Sequence, residues 1–321
     1  MTNPAALRFK RSLQLAGLLG MSIAAVLVSV RTPAGIQGSG FRSLAVIGTV
    51  TAVGDGITVG GVTYPTQGAT FKIDGEPGNQ AQLRNGDVVS LRGTTSPNGD
   101  QSSVFEVTFN GNVQGAVSGI DVQSGSFLVL QQTVHVNPAT IFESGIEPAS
   151  LAGLRNGAVV EVSAFANSAG ELVASRIEAK AQNNSAQVVG ALQALDAAQQ
   201  TFRINSLVID YHGAEVEGVL AAGAAVAVRG ASIGTDGALI ANVVEVLPAV
   251  NGEPGAVGRI EGLITRFPSS SYFEVDGQPV TVDSHTKLHL HRPLGLDVEV
   301  KVTGTFDANG VLVASKVKGS K

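Results

Sequence analysis

The sequence predicts an all-β chain of tandem small five-stranded barrels behind an N-terminal hydrophobic helix, and three observations carry that expectation. One phrase of strand and turn signals recurs four times at intervals of about seventy residues. Within each copy, apolar and polar residues alternate over short runs bounded by Gly, Asn and Asp, the period of half-buried strands. Composition agrees: the 321 residues include 40 Gly, no Trp and no Cys, and only 15% are charged.

The copies align on a glycine in their opening strands: Gly48 in VIGTV, Gly115 in VQGAV, Gly190 in VVGAL and Gly262 in IEGLI. A hairpin follows, read from FLVLQQTVHVNPAT (127–140), FRINSLVIDYHG (202–213) and FEVDGQPVTVDSHT (273–286); the first copy, ITVGGVTYPTQGAT (57–70), fits more loosely. After a variable stretch such as EPASLAGL (147–154), expected to hold a turn or two of helix, comes a second alternating strand. It reads GDVVSLRG, GAVVEVSA, GAAVAVRG or DVEVKVTG. A polar turn then leads into the closing strand. Asn98-Gly99, Asp236-Gly237 and Asn309-Gly310 supply the positive backbone dihedrals of a tight hairpin, with Ala169-Gly170 at the same place in the second copy.

Five short strands with the only helix between the third and fourth resemble an oligonucleotide/oligosaccharide-binding (OB) barrel, whose closure removes the unpaired edges that invite aggregation. The expected fold is thus four tandem small five-stranded OB-like β-barrel domains. The chain also resembles the bacterial domain-of-unknown-function family 5666. The strand-one glycine, the Phe-led hairpin ending near Thr140 or Thr286, the VxVxG strand and the closing G-x-LxAxxV phrase carry that resemblance across residues 44 to 318. It implies a cell-envelope protein of tandem small β domains and brings no catalytic residues with it.

The expected boundaries are a basic n-region at 1–11, a hydrophobic segment at 12–30, a linker at 31–43, barrels at 44–109, 110–180, 186–247 and 256–318, and a linker at 248–255. One barrel of this size buries little core, so contacts between units are expected to help. Residues 109–114 leave almost no linker, whereas NNSA (183–186) and VNGEPG (250–255) read as flexible joints.

Arg8, Lys10 and Arg11 precede the uncharged stretch Ser12 to Val30, which Arg31 closes. As a helix this stretch spans roughly 28 Å, close to a bilayer core. Its length favours an uncleaved anchor over a signal peptide, for which the region of Pro33 and Ala34 is the alternative cleavage site. Either way the expectation is an exported protein, periplasmic or cell-envelope, anchored in the inner membrane with its basic end in the cytoplasm. Without cysteine, packing alone must supply stability.

Candidate chemistry concentrates in VDSHTKLHLHRP (282–293). His289 and His291, two apart on an extended segment, share a face, and His285 with Asp283 completes a possible ligand set for zinc, copper or nickel. The same alternation of Leu and His describes an ordinary half-buried strand. His135 and His212 stand alone. The sequence has no Gly-x-Ser-x-Gly elbow and no cysteine nucleophile. Glu215 with Glu217, and Asp297 with Glu299, have the spacing that solvent-facing strand positions produce by default. NGEPGAVGR (251–259) reads as a linker, since no Lys-Ser/Thr follows its glycines. No catalytic residue and no cofactor is expected.

The net charge is −5, no basic run is present, and the aromatics are 12 Phe and 3 Tyr, so nucleic acid is disfavoured as a partner. Envelope proteins or wall polymers remain, together with the inner membrane through residues 12–30. Two readings stand: a noncatalytic, membrane-tethered or exported binding or spacer scaffold, and a ligand-binding module for a divalent metal at His285/His289/His291 or for a cell-envelope glycan.

Overall fold

A computed structural model describes residues 40–182, 185–248 and 252–319. The expected n-region and hydrophobic segment lie outside the described residues. Gly40–Lys321 forms one compact unit. Among the described residues its regular structure is β throughout, apart from two 3-10 turns at Gln80–Gln82 and Leu151–Gly153. Among the described residues no helix is long and apolar enough to cross a membrane.

The strands fall into four successive sets. The first comprises β1 (Arg42–Val53), β2 (Gly56–Val59), β3 (Val62–Pro65), β4 (Thr70–Ile73), β5 (Glu76–Gly78), β6 (Val88–Thr95) and β7 (Ser102–Phe109). The second comprises β8 (Val113–Asp121), β9 (Ser126–Val129), β10 (Gln132–His135), β11 (Ile141–Phe142), β12 (Val159–Ala166) and β13 (Leu172–Ala179). The third holds β14 (Ala186–Ala191), β15 (Gln193–Asp196), β16 (Thr201–Ile204), β17 (Leu207–Asp210), β18 (Glu215–Glu217), β19 (Ala225–Ile233) and β20 (Leu239–Val246). The last holds β21 (Val257–Ser269), β22 (Tyr272–Val275), β23 (Gln278–Thr281), β24 (Lys287–His289), β25 (Glu299–Phe306) and β26 (Leu312–Gly319).

Two sets close into five-stranded barrels through a complete ring of ladders, some of them interrupted by β-bulges. In the second, the ring runs β8–β9–β10–β13–β12 and back to β8, antiparallel except at β10–β13. In the last it runs β21–β22–β23–β26–β25 and back to β21, with β23–β26 parallel. Each ring carries a sixth short strand that the sequence reading omitted, β11 beside β13 and β24 beside β26. In the third set the opening strand breaks at buried Leu192 into β14 and β15, and the order is otherwise the same. In the first, β3 pairs only with β2, and β4 doubles back on β5 instead.

Local sequence accounts for the rings. Ile57, Phe127, Phe202 and Phe273 each occupy the second position of the hairpin's first strand and are at most 1% exposed, forming the floor of four hydrophobic clusters. The opening-strand glycines let that strand cross the hairpin closely. A Cβ on Gly48 would lie 2.9 Å from Val59, on Gly115 2.9 Å from Leu130, on Gly190 2.5 Å from Ile204 and on Gly262 3.2 Å from Val275. Even alanine would crowd all four places, so the repeated glycine reflects barrel curvature.

The sets are laced together by strand pairing. β1 pairs in parallel with β21, from Leu44↔Val257 to Ile47↔Ile260, joining the first set to the last. β8 pairs with β14 at Gln114↔Gln187 and Val113↔Val188, joining the second set to the third. Two thirteen-stranded sheets result. The cores interlock as well: Ala45 packs into the last set's core and Val257 into the first's. Beads on flexible joints are therefore not the arrangement of the described residues. Buried ions add further ties. Arg176 of β13 lies 3.5 Å from Asp87 of the first set and 3.2 Å from Glu178, and Gln187 of β14 donates to Asp74 at 2.8 Å.

Candidate functional site

The three histidines singled out in the sequence occupy two different environments. His285 sits in a turn after β23, where its backbone N–H donates to Asp283 Oδ1 at 2.8 Å. The Thr286 hydroxyl accepts from the Asp283 N–H and donates to the Ala314 carbonyl at 2.7 Å, pinning the turn to β26. The second set repeats this arrangement: the Ala139 N–H donates to Asn137 Oδ1, and the Thr140 hydroxyl donates to the Ala174 carbonyl at 2.7 Å. In the third set the His212 N–H donates to Asp210 Oδ1. Asp283 is thus the side-chain acceptor of an Asx turn, and His285 occupies the position held by Ala139 and His212. Its ring is 91% exposed and lies 3.6 Å from Asp283.

His289 and His291 instead line an open groove with Leu288, Leu290, Lys316 and Lys318. The parallel β24–β26 ladder sets Lys287 beside Lys316 and His289 beside Lys318, and the antiparallel β25–β26 ladder sets Lys301 beside Lys318. Paired positions share a face, so these side chains project together while Val317 between them is buried in the barrel. Of this row only Lys301 has a carboxylate partner among the described residues, Glu261 at 2.9 Å. A groove walled by ammonium groups opposes a divalent cation and favours an anion. Among the described residues, no group of three or more His, Asp or Glu is placed to hold a metal ion.

A second cleft lies between the second and last sets, lined by His135, Asn167, Glu171, Arg292, Asp297 and Glu299 among others. His135 Nε2 lies 2.8 Å from Glu171 Oε2, and this hydrogen bond holds the Glu171 carboxyl below its ordinary range. Asp297 accepts from the Ser168 N–H at 2.7 Å and from its hydroxyl at 3.1 Å. The Ser168–Asp297 bonds fasten one barrel to the other, while His135 and Glu171 engage each other within the second set.

Among the strongly perturbed carboxyls are two, missed by sequence reasoning, at the joints between sets. Burial pushes Glu161 up to about 7, reinforced by Asp74 and opposed by Lys180 at 3.3 Å. Burial likewise raises Asp87 to about 6 against the pull of the Arg84 N–H and of Arg176. Both lie where sets pack together. The signal for Glu161 was a charged residue inside an otherwise apolar strand, VVEV, whereas Asp87 stands just before its strand and carries no such signal.

Fold and site together describe a protein of repeated small β-barrels with one cationic face. The sequence profile of the family described as Domain of unknown function (DUF5666) matches residues 47–101, 114–178 and 261–318, more than half of the chain. The protein belongs to that family. Residues 186–247 lie between the matches and carry the same strand order. Among solved structures, a chain described as drosophila Unr CSD456 is similar at 14% identity over 65% of this chain and 96% of its own, with a TM-score of 0.16, too slight a likeness to bear on fold or function. No curated protein matches the chain.

Proposed function

We propose that this protein is a noncatalytic binding scaffold of the bacterial envelope, in which four OB-like barrels are carried outside the cytoplasm on a membrane helix formed by residues 12–30. The ring order first–second–third–fifth–fourth, with its one parallel contact between third and fifth strands, supports the OB-like assignment. The recurrence of strand order in the first and third sets supports the count of four.

The observation that carries the scaffold reading is the lacing of the sets into two sheets by β1–β21 and β8–β14, which contacts such as Arg176–Asp87 and Gln187–Asp74 tie into one block with fixed outer faces instead of an extensible string. Such a block presents surfaces to partners at constant geometry. The basic residues ahead of the apolar stretch support the tether and its orientation. An alkaline phosphatase fusion placed after the last barrel, with carbonate extraction of the membranes, tests the placement. Active fusion protein retained in the extracted membrane is the expected result. An inactive fusion would refute export, and full release by carbonate would refute the tether.

A further inference from the structure

We propose that the outward face of β24, β26 and β25 docks on an anionic, phosphate-bearing lipid surface. The inference deepens the tethered reading and rests on it. Its basis is the arrangement of Lys287, Lys316, Lys318, Lys301 and His289 on adjacent strands at cross-strand positions. Like charges directly opposite one another destabilise a sheet, so the Lys287↔Lys316 juxtaposition imposes a cost that a facing anionic surface relieves. Of this group only Lys301 has a carboxylate partner among the described residues, Glu261 at 2.9 Å.

The apolar residues agree. Leu288, although paired with buried Val317, sits at the edge strand 49% exposed and lines the groove with Leu290, placing hydrocarbon beside ammonium groups, the mixture that suits a headgroup region. The tether's point of departure agrees too. Lys316 is aligned with Thr303, Arg259 and Val46 across three successive ladders, a distance of about 14 Å. Val46 lies four residues from the start of β1 at Arg42, about 13 Å along the strand. Residues 31–41, between the apolar segment and β1, can extend up to about 35 Å. The face therefore lies within reach of the bilayer that holds the chain, and the tether raises the local concentration of headgroups around it.

The test uses the full-length protein in nanodiscs of neutral phosphatidylcholine, or of the same lipid with phosphatidylglycerol added. Lysines are acylated briefly and quantified by mass spectrometry. Lys287, Lys316 and Lys318 should react about 3-fold or more slowly on anionic discs at low salt, and high salt should abolish the difference. Lys72, which is bonded to Glu245 at 2.7 Å, is the internal reference. Equal reaction on both discs overturns the proposal. The double variant Lys316→Gln/Lys318→Gln changes two exposed side chains, and Lys287 in it should lose its lipid-dependent protection. Protection that survives in this variant overturns the assignment to this face. Retention on neutral discs reports the tether alone. If retention fails, the tethered reading fails, and the soluble chain mixed with anionic vesicles still decides the docking: protection supports it and none overturns it. Protection by inorganic tripolyphosphate but not by anionic discs also overturns it.

Discussion

Replacing Glu161 by Gln should stabilise the protein at pH 8 and leave it unchanged near pH 4.5. The carboxylate is 6% exposed, lies against Gly111 in the joint between sets, and feels Asp74 as a second negative charge. Its acid is raised from 4.5 to about 7, so the folded chain holds a proton that the unfolded chain releases. Stability from this group is complete below the unfolded value and is lost as pH rises from about 4.5 to about 7. At ~1.4 kcal/mol per unit, the loss approaches about 3 kcal/mol at pH 8. Glutamine keeps the shape without the charge, and Lys180 retains Glu178 at 3.4 Å. Urea unfolding of both proteins from pH 4.5 to 8 reads the difference directly. A variant that is less stable at pH 8, or a gap that does not change with pH, would show Glu161 to be ionised and held by Lys180, and the reasoning would fail.

Gly86→Ala should cost about 1–3 kcal/mol, because the residue has φ +95° and a Cβ there would lie 2.8 Å from the Arg176 Cβ; thermal unfolding measures it. Thr286→Val removes the bonds to the Asp283 N–H and the Ala314 carbonyl and should cost about 1–2 kcal/mol, with faster amide exchange at Asp283. Phe273→Ala empties the floor of the last barrel and should cost about 3–5 kcal/mol in the same unfolding assay. Small-angle scattering of residues 40–321 should give a radius of gyration of about 19 Å, that of one packed body, and a value above about 25 Å would refute the laced arrangement.

Strand alternation and turn chemistry are local, so the repeated sets could be read from the chain alone. Pairing between sets could not, because nothing in VIGTV marks VGRIE as its neighbour two hundred residues away. The hairpin turn of the second set illustrates the boundary. Leu130 and Gln131 both have positive φ, 47° and 60°, where Gly, Asn or Asp is the ordinary choice. Leu130 packs against the cores of both the second and third sets, and Gln131 donates to the Gly237 carbonyl, so contacts from a neighbour hold a strained turn that local signals do not announce. The candidate site was half legible. His289 and His291, read from the sequence as sharing a face, both line one groove, although His291 lies beyond the end of β24. The lysines that define its charge lie on β26, and only the ladder brings them there. His285 was drawn into a ligand set by proximity in sequence, although Asn137-x-Ala139 and Asp210-x-His212 carry the same turn in the other copies.

The parallel pairing of β1 with β21 also fixes an order of events. The partner of Leu44 is Val257, about 210 residues later, so at the ~5–20 residues per second of synthesis the first strand waits roughly 10–40 s for its neighbour. Throughout that interval a long, apolar strand edge stands open to other chains. The same pairing limits growth by duplication. A solenoid can gain a copy at either end, but here the opening strand of the first copy is already taken by the last, so an added barrel would find no equivalent edge to join.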